Sequence, residues 1–303
     1  MTPTARTARL RPYAVLVLCA ALWSLNGPLI KLLQSPDLGG APVSGVTIAC
    51  YRSLLGGLVF IPWALRRRRT LRNVAAGWPV AGVLLFTLMT VTFVVATTRT
   101  AAANAIVLQY TSPLWVFLLS PWLLGERPRR AEALVLSIAM VGVAVIFAGN
   151  PVTEVRWLAV ALTSGFGYGA LTVVLRGLRP VDPLVVACLN AIGSGLLLLP
   201  AVAAWGAFGL SPLQWLVVSL MTLVQFTAPY VLFSWALQRV EAHRAALVVL
   251  LETILNPLWT FLLVGEAVPA ATLAGGPLIL LGVGTWLILS QRRATPPAVP
   301  PGP

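Results

Sequence analysis

The chain of 303 residues is 58% hydrophobic and 10% charged, with a mean hydropathy of +0.90. Apolar stretches of this total length cannot all be buried inside one water-soluble core, so the composition excludes an ordinary soluble globular protein. The formal net charge of +13 would suit a nucleic-acid-binding protein, but the distribution of the basic residues along the chain argues against that class.

The apolar segments have the length of membrane-spanning helices. Crossing a hydrocarbon layer of about 30 Å takes roughly 20 apolar residues as a helix. The strands of a membrane barrel would instead show ~10-residue segments of alternating polarity, which this sequence lacks. The sequence therefore predicts an all-α integral membrane protein with ten transmembrane helices. The predicted spans lie near residues 12–33, 42–65, 76–98, 101–122, 130–148, 155–177, 183–205, 212–237, 244–264 and 270–290.

The basic residues fall mostly on one side of the membrane when the loops are assigned alternately to its two sides. With the N-terminus inside, 17 of the 21 Lys and Arg residues are cytoplasmic, including the run Arg66–Arg69. An excess of this kind orients membrane proteins, so both termini are predicted in the cytoplasm and the protein in the cytoplasmic (inner) membrane. Membrane topology thus accounts for the charge, and no nucleic-acid partner is predicted.

The second half of the chain repeats the first. Residues Arg99–Glu126 align without a gap on Arg239–Glu266, at an offset of 140. A rival offset of 144 superimposes Pro113 on Pro257 but loses both Gly-Glu pairs. Because five spans per repeat is an odd number, the two halves must be inverted relative to each other. The predicted domains are a first five-helix repeat at 1–149, a second at 150–293, and a disordered Pro-rich cytoplasmic tail at 294–303.

Two ionisable residues, Arg52 and Glu252, fall near the centre of a predicted span. Insertion scales put the cost of such residues at about 2.5–3.5 kcal/mol, so they require a partner or a water-filled cavity. Two interpretations stay open. Arg52 binds an anionic substrate group while Glu252 carries protons or acts as its counter-ion, or the two form a structural ion pair. The positions equivalent by the repeat hold Asn190 and Ser112.

Polar and aromatic side chains at similar depth predict a central substrate cavity. Taken singly, such residues more often form hydrogen bonds between helices. Asn26 and Pro28 flank Gly27, where the first helix is predicted to be interrupted, as helices are at transporter binding sites. The candidate substrate-binding residues are Arg52, Glu252, Trp23, Asn26, Gln109, Tyr110, Ser112, Tyr168, Asn190 and Asn256.

No catalytic residue, metal site or cofactor is predicted. The three cysteines all fall within predicted spans, without Cys-x-x-Cys spacing, and the chain has a single His. The glycine-rich segment 165–169 resembles a nucleotide loop in composition only. It lies inside a span and follows no strand, which favours close helix packing over phosphate binding.

The combination of ten spans and two halves resembles the drug/metabolite transporter superfamily, in particular its bacterial EamA-type members. The residues that carry the resemblance are Trp23-Ser24, Arg52 in the second span, and Pro113 twelve residues before Gly125-Glu126. The second half departs from this pattern, because Thr253 stands where the first half has Pro113.

The resemblance implies a pseudo-symmetric basket of helices around a central cavity. It also implies alternating-access transport, often export (efflux), of a small metabolite, amino acid or drug-like molecule without ATP hydrolysis. The expected partners are that substrate, membrane lipids and, where transport is coupled, protons. A lipid flippase or lipid-interacting scaffold is the alternative. A membrane-embedded transferase is less favoured, since the sequence offers one His and no acidic cluster.

Overall fold

A computed structural model describes residues 3–124, 130–237, 239, 245 and 248–291. The described part is all helical and contains no strand. The Gly125-Glu126 pair and the predicted tail at 294–303 lie outside it. The helices are α1 Pro3–Ser24, α2 Asn26–Leu32, α3 Gly45–Arg67, α4 Gly77–Arg99, α5 Ala102–Gln109, α6 Ser112–Leu124, α7 Arg130–Gly149, α8 Val155–Gly177, α9 Pro183–Trp205, α10 Pro212–Leu220, a π-helix Met221–Thr227, α11 Ala228–Leu237, α12 Leu251–Val264 and α13 Ala270–Gln291; short 3-10 helices span Pro36–Leu38, Arg68–Asn73 and Val152–Glu154.

Seven helical segments of the described chain are long and apolar enough to cross a membrane. They are Arg11–Leu32, Gly45–Arg72, Gly77–Arg99, Ala102–Leu119, Val152–Gly177, Pro183–Trp205 and Pro212–Phe233. Three shorter apolar helices cover Leu136–Gly149, Leu251–Val264 and Ala270–Trp286. Many large apolar side chains on these helices are exposed, among them Leu134, Leu263 and Leu281. Side chains of this kind suit a surface that faces lipid, so the protein is a multi-pass membrane protein.

Four helical segments of the described chain contain or begin at an interruption. The first breaks at Leu25, between α1 and α2, next to the predicted Asn26–Pro28 site. A second break lies at Tyr110 and Thr111, and a third at Leu250, directly before α12. The fourth is the π-helix, in which the backbone widens between α10 and α11. Interruptions of this kind expose backbone groups and turn the next side chains to a new direction, and they recur at functional sites.

The helices pack in pairs around a common core. α3 lies along α9, α7 along α13, and α4 along α8. Fully buried apolar side chains from several of these helices meet between the pairs, such as Ile48, Ile106, Leu158 and Ile279. α7 and α13 approach closely at two glycines, because a Cβ added to Gly275 would lie 2.5 Å from the carbonyl oxygen of Gly142.

This close approach predicts that Gly275→Ala destabilises the protein while Gly276→Ala does not. The added methyl group at position 275 must push α7 away, which costs about 1–3 kcal/mol. At Gly276 the nearest atom would be 3.7 Å away, so the same change keeps the packing and improves helix propensity. Thermal unfolding in detergent should give a lower midpoint for the first variant only. Equal midpoints would show that the two helices do not touch at Gly275.

Candidate functional site

A cavity of about 230 Å³ lies where the interrupted helices meet. Its walls come from α1, α2, α3, α4, α5, α8, the π-helix, α11 and α12, together with Val249 just before α12. The lining residues are Trp23, Asn26, Arg52, Met89, Thr90, Phe93, Gln109, Tyr168, Leu171, Leu175, Gln225, Phe226, Tyr230, Phe233, Val249 and Glu252. We call this space the first cavity.

Arg52 is the cationic group of the first cavity and is only 4% exposed. Its Nη1 donates to Asn26 Oδ1 at 2.9 Å and its Nη2 to Thr90 Oγ1 at 3.4 Å. Its Nε has no hydrogen-bond partner, and the guanidinium carbon lies 5.5 Å from the ring centre of Phe226. All of these neighbours are neutral. The fork of donors that suits a carboxylate or phosphate is therefore only partly used.

Arg52 and Glu252 line the same cavity but are not paired. Among the residues that the structure describes, the ion pairs within 4 Å are Lys31 with Glu266 and Arg67 with Asp182. The structural ion pair, one of the two interpretations drawn from the sequence, is not formed in this structure. The cavity thus holds one buried cation and one carboxyl group that do not neutralise each other by contact.

Glu252 is oriented by Tyr110. The phenolic hydroxyl of Tyr110 donates to Glu252 Oε2 at 2.8 Å. Glu252 is the second residue of α12 and directly follows the break at Leu250, so its carboxyl group lies at a helix N-terminus, where negative charge is favoured. Tyr110 lies at the matching break between α5 and α6. Residues at both helix interruptions therefore determine the position of the Glu252 carboxyl group.

Aromatic rings form the remaining wall of the cavity. Trp23 meets Tyr230 edge-on at 5.8 Å between ring centres and Phe233 at 5.2 Å. Phe226 lies 5.2 Å from Tyr230. Tyr168 enters from α8, which approaches α6 closely at the next residue, since a Cβ added to Gly169 would lie 2.6 Å from the Ser112 carbonyl oxygen. Such rings offer stacking and apolar contact to a bound molecule.

The structure brings six of the ten predicted site residues to the first cavity. The other four do not line the first cavity, because depth in a span does not tell which way a side chain points. Tyr110 donates a hydrogen bond to Glu252, and Ser112 packs against α8. Asn190 lines a neighbouring cavity, and Asn256 is fully buried against Gly27. Substrate binding by the six remains a prediction.

Sequence reasoning missed several lining residues. Thr90 and Gln225 are polar residues inside apolar spans, so the signal that identified the other candidates was present for them too. Gln225 Nε2 donates to the Trp23 carbonyl oxygen at 3.4 Å, while its Oε1 has no partner. Phe226, Tyr230 and Phe233 carry no comparable signal, because aromatic residues are common throughout membrane helices.

A second cavity of about 430 Å³ adjoins the first. The two share Leu171, Leu175, Phe226, Tyr230 and Phe233 as walls. The second cavity reaches the loop between α8 and α9, where its lining includes exposed Arg179 and Pro183. We call the side of the molecule that carries this loop the Arg179 face.

The opposite end of the bundle, the Lys31 face, is closed by a polar network. Lys31 Nζ lies 2.6 Å from Glu266 Oε2 and donates to the Thr100 carbonyl oxygen at 2.9 Å. The other carboxyl oxygen of Glu266 accepts from the Ala102 amide at 2.7 Å. The Thr100 hydroxyl donates to Glu154 at 2.6 Å. These bonds tie together the ends of α2, α4 and α12 and the beginnings of α5 and α8.

Comparison with known proteins identifies the family. The profile of the EamA-like transporter family matches residues 11–148 and again residues 155–288. An "Uncharacterized transporter" of Archaeoglobus fulgidus is 27% identical over 276 residues, which cover 89% of this chain and 94% of that protein. A solved structure described as "Crystal structure of protein" shares the fold with a TM-score of 0.62 at 21% identity, covering 94% of this chain and 99% of that one. The resemblance drawn from the sequence is confirmed, and the chain belongs to the EamA-like transporter family of the drug/metabolite transporter superfamily.

Proposed function

We propose that this protein is a secondary-active exporter of a small metabolite that carries a carboxylate and an amine, such as an amino acid, and that it works by alternating access. The observation that carries the proposal is the buried Arg52. Its charge is met only by neutral groups, as far as the described residues go, and it lines a cavity. Burying a charge without compensation is costly, so an anionic ligand group is the natural partner.

Glu252 is the second charged group that recognises the proposed substrate. It lines the cavity together with Arg52 but stays unpaired with it, so a ligand that bridges the two satisfies both charges. The aromatic wall between them suits an apolar side chain or ring. We further propose that Glu252 takes up a proton when the amine leaves, which would couple transport to the proton gradient.

Several features support a ten-span, inverted-repeat topology as part of this proposal. The seven long apolar segments and three shorter apolar helices together number ten. The breaks at Tyr110 and Leu250 are 140 residues apart, as are the first residues of α7 and α13. This spacing equals the repeat offset found in the sequence.

The charge distribution supports an orientation. Arg67 lies 3.9 Å from Asp182 in the loop before α9, which brings the arginine-rich end of α3 to the Arg179 face. Basic residues concentrate in cytoplasmic loops, so we propose that the Arg179 face is cytoplasmic, with both termini on that side and the protein in the cytoplasmic membrane. The Lys31 face is then outside. In this proposal the hydrogen-bonded Lys31 face is the outer end and the second cavity leads to the cytoplasmic side, which supports assigning this conformation to the loading state of an exporter.

Replacing Glu252 tests this proposal. Phenylalanine and its deaminated analogue phenylpropionate both offer a carboxylate to Arg52, but only the first offers an amine. We expect the wild-type protein to bind phenylalanine roughly tenfold or more better, since a charged hydrogen bond contributes about 1.5–3 kcal/mol. Glu252→Gln should remove most of this preference, together with any drive of uptake into proteoliposomes by a pH gradient.

Calorimetric titration in nanodiscs measures the preference directly. The control is Asp37→Asn, which removes an exposed carboxylate far from the cavity and should leave both readouts unchanged. A wild-type protein that binds neither compound, or a Glu252→Gln variant that keeps the full preference for phenylalanine, would contradict the proposed substrate class.

A further inference from the structure

We propose that the second cavity is a subsite for the apolar tail of the transported molecule. The substrate is then an amphipath whose charged head lies at Arg52 and Glu252 in the first cavity. This inference rests on the proposed function, because it takes the first cavity as the site of the head. It adds a second binding region and a preference for substrates with long apolar chains.

The two cavities adjoin and share part of their walls. Five residues face both of them, with Leu171 and Leu175 on α8 and Phe226, Tyr230 and Phe233 on the other wall. A molecule bound at Arg52 that extends past these shared side chains enters the second cavity. At about 430 Å³, the second cavity is nearly twice the volume of the first.

The residues that line the two cavities differ in polarity. The first cavity contains Arg52, Glu252 and the polar side chains of Asn26, Thr90, Gln109 and Gln225. The second cavity is lined almost entirely by aliphatic and aromatic residues, with Asn190 and Arg179 as the polar exceptions. A polar end joined to a larger apolar chamber complements a molecule with a charged head and an apolar chain.

The location of the apolar walls strengthens the argument. Val181, Val186 and Ala187 belong to the loop before α9 and the first turns of that helix, close to the Arg179 face. A passage that served only to admit small polar solutes would gain nothing from such a lining. An apolar chain that occupies it removes this surface from water, which is favourable in proportion to the area covered.

The experiment is a binding series in nanodiscs with linear 2-aminoalkanoic acids, from alanine to 2-aminooctanoic acid, in which the head stays constant and the chain lengthens. Each methylene that becomes buried should raise affinity about fourfold. Ala187→Phe places a ring in the second cavity and should reduce the gain in affinity per methylene for the longer members of the series. The slope of affinity against chain length is calculated for each protein relative to its own affinity for alanine. A general loss of binding is then not mistaken for a loss of the tail site.

The matched control is Ala203→Phe, the same change at an exposed position further along α9 and outside both cavities. It should keep the wild-type slope. If the wild-type protein binds every member equally, the second cavity is only a passage, or a lipid chain already fills it, and this inference fails while the proposed function stands. A slope that Ala187→Phe leaves intact would overturn the placement of the tail. If no member binds, the proposed function and the tail site fail together.

Discussion

Arg52→Gln is expected to weaken the binding of carboxylate ligands roughly 10- to 150-fold and to leave the protein as stable as the wild type. The loss of affinity follows from removing a charged hydrogen-bond donor, which contributes about 1.5–3 kcal/mol. Stability should hold because, among the described residues, Arg52 contacts only neutral groups: it donates hydrogen bonds to Asn26 and Thr90 and lies over the Phe226 ring. A structural ion pair predicts the reverse, since its loss leaves an unpaired buried charge and costs about 3–5 kcal/mol.

Measuring affinity and unfolding temperature on the same preparations separates these two interpretations. Phenylpropionate is the appropriate probe, because its carboxylate is its only charged group. The control is Arg99→Gln at the Lys31 face, where the guanidinium carbon lies 5.5 Å from the ring centre of Trp157 and the residue is exposed. A large drop in unfolding temperature for Arg52→Gln, with unchanged binding of phenylpropionate, would assign Arg52 a purely structural role.

Much of the fold could be predicted from the sequence because the length and apolar composition of a segment are enough to identify a membrane-spanning helix. The seven long apolar segments fall within or close to predicted spans. The break in the first helix was also predictable, since Asn26, Gly27 and Pro28 weaken a helix locally. The π-helix at Met221–Thr227 was not, because its residues are ordinary for an apolar helix and the widening depends on packing against neighbouring helices.

The candidate site was harder to predict, for a reason of geometry. A sequence gives the depth of a residue in its span, whereas lining a cavity also depends on the direction of the side chain around the helix axis. Asn256 has the right depth, yet it faces Gly27 and leaves its amide atoms without hydrogen-bond partners. Arg52 was identified because its charge restricts it to the interior whatever the helix orientation.

The residues that the sequence repeat pairs with Arg52 and Glu252 lie in different surroundings. Arg52 and its counterpart Asn190 lie on α3 and α9, which pack along each other, but they face different spaces. Arg52 faces the first cavity and Asn190 the second. Likewise Glu252 follows the break at Leu250, while its counterpart Ser112 follows the break at Tyr110 and packs against Gly169. Each half of the chain thus contributes one charged residue, Arg52 or Glu252, and one neutral residue, Ser112 or Asn190, and the two charges are opposite in sign, which suits a substrate with chemically different ends.

The Lys31–Glu266 ion pair is expected to hold the Lys31 face of the transporter shut, which is the outer end in the proposed orientation. The side chains are only 16% and 24% exposed, so the pair is worth more than a typical surface pair. Lys31→Gln or Glu266→Gln should each remove about 1.5 kcal/mol or more from the closed state, which raises the population open at this face about tenfold. Because both changes remove the same interaction, the double variant should also show about a tenfold rise rather than a hundredfold one.

The labelling rate of a cysteine in the first cavity measures this opening. Gln109→Cys, in a background where Cys19, Cys50 and Cys188 are replaced, provides the target, and a membrane-impermeant thiol reagent is added on the Lys31 side only. The control is Arg67→Gln, which breaks the longer ion pair of the opposite face, in which the Arg67 side chain is 58% exposed, and should leave the rate unchanged. If the rise in labelling rate of the double variant equals the product of the two single rises, Lys31 and Glu266 act separately. If none of the variants changes the labelling rate, other contacts close this end. A rise shared by both single variants and the double variant identifies the ion pair as the bond that must break for the substrate to leave.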